Sequence, residues 1–383
     1  MPPKGFLFSA VNCGLKKDRP DLGIIYSESP ANWAGMFTTN AFRAAPVVLS
    51  QKKKGKPIRA IIVNSGIANA GTGEQGIKDA REMCGELARH LRIKEEEVLV
   101  ASTGVIGERL PMEKIKKGIK EAVSQLSPEK FPQFANAIMT TDTFPKIVEK
   151  RVEEKGFSIL GMAKGAGMIH PQMATMLVFL LTDANLKSYS LEECLRKAVD
   201  ISFHCLTIDG DTSTNDSVFL LANGLGGEVE DISCFEETLG EVCLELARMI
   251  ASDGEGATKL IIIKVKGGRN AEEARAVGRR IAVSPLVKTA FFGADPNVGR
   301  ILCAIGNSQL KSPPLSLEIS LGGVKVVEKG TVIDFPREQL REYIANNREI
   351  EVEVDLKQGE GCATVYTCDL SYDYVRINAE YTT

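Results

Sequence analysis

The chemistry legible in this chain is concentrated in one stretch, Lys164-Gly-Ala-Gly-Met-Ile-His-Pro-Gln-Met-Ala-Thr-Met-Leu177. There a bond between two small residues, Ala174 and Thr175, follows a glycine-rich turn. The apolar run behind it reads as a buried strand, so Thr175 stands at the start of a rigid element. A hydroxyl in that place can attack the carbonyl of Ala174, turning the peptide into an ester that water hydrolyses and leaving Thr175 as a new N-terminus. The freed α-amine titrates near pH 8, roughly, and can act as base for its own side chain without a histidine. Threonine is also a good strand former, and glycines before a strand ordinarily make a turn. Spacing alone therefore fits an inert turn and strand as well.

Three further segments, and Lys164 at the head of the first, carry polar groups at suggestive positions. In Val98-Leu-Val-Ala-Ser-Thr-Gly-Val-Ile-Gly107 a strand gives way to a glycine-containing turn, where the Thr103 hydroxyl and the Gly104 N–H could point outward together as donors to an oxyanion. Thr140-Thr-Asp-Thr-Phe-Pro-Lys146 reads as a hydroxyl-rich turn. Lys164, if buried near Thr175, could lower the amine pKa and bind a carboxylate. Asp253-Gly-Glu-Gly-Ala-Thr-Lys259 looks like a loop ending a helix and lacks the Gly-Lys-Ser/Thr ending of a phosphate-cradling loop.

Other candidates fall away. The three histidines, His90, His170 and His204, stand at no metal-ligand spacing, so no metal site is expected. His204 and Cys205 are neighbours, and neighbours in sequence seldom face each other. Asp209-Gly-Asp-Thr-Ser-Thr-Asn-Asp216 resembles a calcium loop but has Thr214 at its sixth position and Leu220 at its twelfth, where glycine and a bidentate glutamate are needed. Asn64-Ser-Gly-Ile-Ala-Asn-Ala-Gly71 and Gly293-Ala-Asp-Pro-Asn-Val-Gly-Arg300 do not follow the dinucleotide spacing.

Strand and helix signals alternate along the chain, as an α/β or α+β protein requires. Strands are expected at 58–63, 98–101 and 259–266, and helices at 75–92, 112–126, 236–251 and 271–281. Ser190 reads as the N-cap of a helix that begins at Leu191, with glutamates completing the capping signature. Residues 349–381 read as mostly alternating β, making the C-terminal part the strand-rich one. No linker marks independent domains.

At 383 residues, 44% hydrophobic and 25% charged, the chain can bury a large core. A net charge of −3 offers no basic face for nucleic acid or an anionic membrane, so small metabolites are the expected partners. No apolar run nears the ~18 residues of a membrane helix, and the N-terminus is too quickly polar for a signal peptide, which reads as a cytoplasmic protein. Nine cysteines without a Cys-x-x-Cys pair suit reduced thiols.

The stretch from Lys164 to Leu177, with Pro171 and Met173-Ala-Thr-Met-Leu177, resembles the self-cleavage motif of the glutamate N-acetyltransferase/ornithine acetyltransferase family of arginine biosynthesis. The resemblance runs from Met36-Phe-Thr-Thr-Asn40 to Thr383, and departs from the family at Ile67 and Val298, where asparagine and tryptophan are frequent. It implies cleavage between Ala174 and Thr175 into interleaved fragments 1–174 and 175–383, with Thr175 as nucleophile and Thr103 and Gly104 as the oxyanion hole. It also implies a substrate-binding set of Thr141, Lys164, Thr175, Glu255, Asn378 and Thr383, the last two on a closing strand. The implied fold is a layered α/β sandwich, like that of self-processing N-terminal-nucleophile enzymes, with a smaller strand-rich C-terminal α/β lobe. The implied activity carries acetyl from N2-acetyl-L-ornithine to L-glutamate with no cofactor, by two copies of each fragment; some members also use acetyl-CoA. The alternative is a self-processing aminopeptidase or amidase of similar architecture.

Overall fold

The computed structural model describes residues 2–170, 176–229, 231–308, 310 and 314–380, the side chains of 188 and 189 excepted. The larger sheet contains β1 (Phe6–Val11), β2 (Leu22–Phe37), β3 (Ile58–Ile67), β4 (Val98–Val105), β5 (Lys146–Val152), β6 (Phe157–Lys164), β7 (Leu177–Thr182) and β8 (Ser217–Ala222). Its order is β4-β3-β2-β8-β7-β6-β5, with β1 on β2; β3 with β4 and β7 with β8 run parallel. The start of the long β2 pairs with β3 and its end with β8, across a register shift between Tyr26 and Ala31. That one strand joins the β3–β4 edge to the centre that holds β7.

The apolar run at β7 is buried on both faces. Leu177, Phe179 and Leu181 pack with Phe134 and Phe219 on one side, whereas Val178 and Leu180 pack beneath the helices Ser188–Ile201 and Ile232–Ser252 on the other. A strand covered on both faces needs apolar residues at every position rather than an alternation.

The second sheet contains β9 (Leu260–Gly268), β10 (Glu318–Leu321), β11 (Val324–Glu328), β12 (Thr331–Val332), β13 (Glu349–Asp355) and β14 (Gly361–Cys368), in the order β12-β11-β10-β13-β9-β14. Ile261, Ile263 and Val265 of β9 pack under helices Ala271–Ala282, Val298–Gly306 and Arg337–Asn346. Leu260 and Ile262 face the other way and join the core of the first sheet, so the two sheets share buried side chains. No helix among the described residues is long and apolar enough to cross a membrane. All nine cysteines are free thiols.

The expected helices are found at Gly73–Leu91, Met112–Val123, Ile232–Ser252 and Ala271–Ala282. Two expectations are corrected. Ser190 does not cap a helix, because its N–H and that of Leu191 already donate to the Lys187 carbonyl, at 3.1 and 3.2 Å, and the helix begins at Ser188. The chain does not close on a strand either: after β14 it turns into the helix Tyr372–Glu380. The Ser371 hydroxyl accepts from the N–H of Asp373 at 3.1 Å, and Asp373 pairs with Arg376 at 3.0 Å, a spacing of three that only a helix brings together.

Candidate active site

One cavity gathers groups from both ends of the chain. Thr103 and Gly104 reach it from the end of β4, Thr140 and Thr141 from the segment before β5, and Lys164 from the last position of β6. Glu255 comes from the loop behind the Ile232–Ser252 helix, and Tyr374 and Asn378 from the C-terminal helix. Asp209, Asp211 and Asn215 line it from the loop that leads into β8.

The Thr103-Gly104 pair lies within β4 rather than in a turn after it. There β4 runs beside β3 with Thr103 opposite Ser65 and Gly104 opposite Gly66, and the pairing slips at Ile67. Gly104 has φ +127°, and a Cβ on it would stand 2.2 Å from the Gly66 carbonyl carbon, so only glycine fits. The surrounding polar groups fix this edge. The Ser102 hydroxyl donates to Asn64 at 2.6 Å, and the Asn215 amide donates to the carbonyls of Ala68 and Ser102 at 2.7 and 2.8 Å. The glycine-rich stretch at 64–71 thus supports the edge that carries Thr103 and Gly104.

Lys164 is 3% exposed, and its ammonium donates to the Thr140 hydroxyl at 2.7 Å and lies 3.4 Å from that of Thr103. Thr141 lines the cavity, but its neighbour Thr140 is the residue that meets the lysine. Burial lowers the Lys164 pKa, an effect opposed by the carboxylate of Asp142 at 3.9 Å. Asp142 is the organiser that the sequence did not single out. It accepts from the N–H groups of Thr140 and Gly165 at 3.0 and 2.7 Å and from the Lys146 ammonium at 2.7 Å. Burial alone would push its carboxyl up, yet the ammonium groups of Lys164 and Lys146 hold it well below the usual carboxylate range. Lys146, fully buried, also donates to Asp253 at 2.6 Å.

At the far wall, Glu255 accepts from the Asn378 amide at 2.8 Å. A side chain at Gly167 would strike the Glu255 carboxyl at 2.5 Å, so the glycine keeps room for that carboxylate. Tyr374 and Asn378, four apart and so on one side of the helix, face the cavity together. The Asp209 carboxylate accepts the N–H groups of Met168 and Ile169 at 2.5 and 2.8 Å, which spends it on the loop itself. His170 rests 3.3 Å from the Thr207 hydroxyl. His204 contacts Asp200 at 2.9 Å, and burial pushes the Cys205 thiol up, which disfavours a thiolate nucleophile.

Ala174, Thr175 and Thr383 lie outside the described residues. Of the other expected site residues, Thr103, Gly104, Thr141, Lys164, Glu255 and Asn378 all line the one cavity. Asp142, Lys146, Asp211, Asn215 and Tyr374 were missed. Of these, Asp142 and Lys146 had a visible signal, an acid and a base four apart within the hydroxyl-rich cluster.

The model of the ArgJ family matches residues 7–383. The arginine biosynthesis bifunctional protein ArgJ of Thermotoga neapolitana is 47% identical over 396 residues, spanning 100% of this chain and 99% of its own. That of Thermus thermophilus is 49% identical over 386 residues, again over 100% and 99%. Among solved structures, the arginine biosynthesis bifunctional protein argJ from Bacillus halodurans aligns with a TM-score of 0.51 at 39% identity, over 54% of this chain and 98% of that one.

Proposed function

The chain belongs to the ArgJ family, and from that premise we propose that it carries the acetyl group of N2-acetyl-L-ornithine to L-glutamate in arginine biosynthesis, through an acetyl ester on Thr175. The observation that carries this reading is the convergence of Thr103, Gly104, Lys164, Glu255 and Asn378, from four separate segments, on one cavity. Such a cavity offers a cation and a carboxylate within one enclosure, which suits ligands that are themselves amino acids. Lys164 pairs with a substrate carboxylate; Glu255, steadied by Asn378, takes an ammonium group; Thr141 and Thr383 complete the grip.

In the first half-reaction the Thr175 hydroxyl attacks the acetyl carbonyl and its proton passes to the residue's own α-amine. The Thr103 hydroxyl and the Gly104 N–H stabilise the oxyanion, the α-amine passes the proton on to the departing nitrogen as ornithine leaves, and the amine of glutamate then attacks the ester, its proton returning to the Thr175 oxygen. No cofactor enters this exchange. Acetyl-CoA would form the same ester, and the relatives' description as bifunctional supports it as a second donor.

The nucleophile's amine comes from cleavage between Ala174 and Thr175 into fragments 1–174 and 175–383. The strand pairing supports that step, since β6 of the first fragment and β7 of the second pair antiparallel, and β2 pairs with β8. Both fragments stay in one sheet after the cut. The 54% of this chain matched by nearly the whole Bacillus halodurans chain also fits, because residues 175–383 make up about that share of the 383. The working form is two copies of each fragment, in the cytoplasm.

Incubated with acetylornithine and glutamate, the purified protein is expected to release ornithine and N-acetylglutamate in equal amounts with ping-pong kinetics. Free acetate without N-acetylglutamate would instead identify an amidase. Thr103→Val keeps the shape of the side chain and removes its donor. It is expected to lower kcat about 10²–10³-fold with little change in KM, as for loss of one oxyanion donor; an unchanged kcat in steady-state assays would remove Thr103 from that role.

A further inference from the structure

Among the described residues, the charged side chains that line the cavity are Lys164 and the carboxylates Asp209, Asp211 and Glu255. Asp209 and Glu255 are already engaged, the first by the N–H groups of Met168 and Ile169, the second by the Asn378 amide at 2.8 Å. Asp211 differs, and nothing in the mechanism above uses it. It stands exposed on the loop that leads into β8, and its own N–H donates to Asp209 Oδ1 at 3.3 Å. No hydrogen bond or ion pair among the described residues engages its carboxylate. The basic side chain within its field is His170, whose pKa is lowered by burial and by Arg279, so at neutral pH it offers Asp211 no cation.

These charges are laid out along the cavity. Lys164, with the hydroxyls of Thr103 and Thr140 near its ammonium, marks one end, and the carboxylates that support its charge are Asp142, Glu255 and Asp216. Tyr374 marks the other end. Its hydroxyl lies 3.4 Å from Asp209, and burial, together with the carboxylates of Asp209, Glu255 and Asp211, pushes the phenol up. Glu255 is therefore felt at both ends, and Asp211 at the second. An N-acetylated amino acid whose acetyl carbonyl meets Thr103 and Gly104, and whose carboxylate meets Lys164, has its side chain directed past Glu255 toward Asp211.

The two amino acids of the exchange differ in charge at the end of that side chain: acetylornithine carries an ammonium there and glutamate a carboxylate. In a ping-pong exchange both occupy the same cavity in turn, so one fixed charge at its far end favours one and opposes the other. We propose that Asp211 sorts the two by side-chain charge, sharing the ammonium of acetylornithine with Glu255 and repelling the carboxylate of glutamate. This role rests on the reading of the cavity as the seat of acetyl transfer between them. It is a role in specificity rather than in bond making, because the acetyl carbon reacts at the Thr103 end. Solvent around an exposed carboxylate keeps both effects moderate.

Asp211→Asn keeps the size of the side chain and removes its charge. In a ping-pong exchange kcat/KM for each substrate reports the half-reaction in which that substrate is bound, so donor and acceptor are read separately. For acetylornithine it is expected to fall about 5–20-fold, as for a charge-assisted hydrogen bond partly open to solvent. For glutamate it is expected to rise about two- to fivefold as the repulsion goes. N2-acetyl-L-norvaline, a donor that lacks only the ammonium, should react equally well with variant and wild type. A merely structural role would lower all three together. Equal falls for acetylornithine and glutamate, or no change in either, would overturn the proposal. So would a wild type that uses acetylnorvaline as readily as acetylornithine, whatever the variant does. Where thermal melting shows Asp211→Asn unfolded, Asp211→Ser, which also removes the charge, is read in the same way. A wild type that moves no acetyl from acetylornithine to glutamate removes the transfer reading and this role with it, whereas normal transfer with parallel shifts removes only the role of Asp211.

Discussion

Denaturing gels of Thr175→Ala are expected to show one band at the full 41.5 kDa, where the wild type gives two. Alanine has no oxygen to form the ester, so the bond after residue 174 stays closed and no amine is freed. Nucleophile and base are then lost together. Groups that act as one unit are not additive, so acetyl transfer should fall to the background left by binding and the oxyanion donors, a loss on the order of 10⁶-fold. Folding should survive, because the pairing of β6 with β7 and the bonds that hold Met176 to Asp216 and Ser217 do not involve the missing hydroxyl. Thermal melts should therefore match the wild type while activity vanishes. Thr175→Ser, which restores an oxygen, should cut and regain part of the transfer. Two bands from Thr175→Ala would rule out that hydroxyl as the agent of cleavage.

How much of this could be read from the chain depends on the range of each contact. The apolar run at 177–182 and the helix at 73–91 are legible because burial on both faces, or on one stripe, is written in consecutive residues. The C-terminal segment was misread because Tyr374 and Asn378 are four apart: alternation within Tyr-Asp-Tyr-Val-Arg-Ile-Asn suits a strand, and the same residues place an active face on a helix. Within Thr140-Thr-Asp-Thr, composition shows a polar cluster, but which hydroxyl meets Lys164 depends on the bend of the chain before β5. Asp216 is less legible still. It accepts the N–H of Met176, forty positions away, a contact that exists only because β7 and β8 run parallel in one register. The loop containing it gives no local sign of this, and fails only as a calcium site. Motifs thus mark what lines the cavity, whereas the groups that hold the motifs in place come from pairings between distant strands.

The buried ammonium of Lys146 is such a group, and Lys146→Met should be the most damaging change outside the cavity wall. Methionine is of similar length and apolar, so the pocket around the side chain remains filled. What is lost is the positive charge between Asp142 and Asp253, both buried and both bound to it, at 2.7 and 2.6 Å. Asp142 keeps two backbone donors and a distant Lys164; Asp253 keeps the N–H and hydroxyl of Thr143. Removing one partner of a buried pair leaves uncompensated charge and costs about 3–5 kcal/mol, which chemical denaturation should read near neutral pH. The sign with pH follows from Asp142. Its folded pKa is depressed, so it adds stability above the unfolded value of about 4, and that stability is lost as pH falls through the folded one. In Lys146→Met one of the two cations that depress it is gone, so the gap between variant and wild type should shrink as pH drops below about 4. Activity should suffer beyond stability, since the Asp142 carboxylate also holds the Thr140 and Gly165 N–H groups on either side of the Lys164 ammonium. A variant as stable as wild type at neutral pH would show that the two carboxylates do not depend on this lysine.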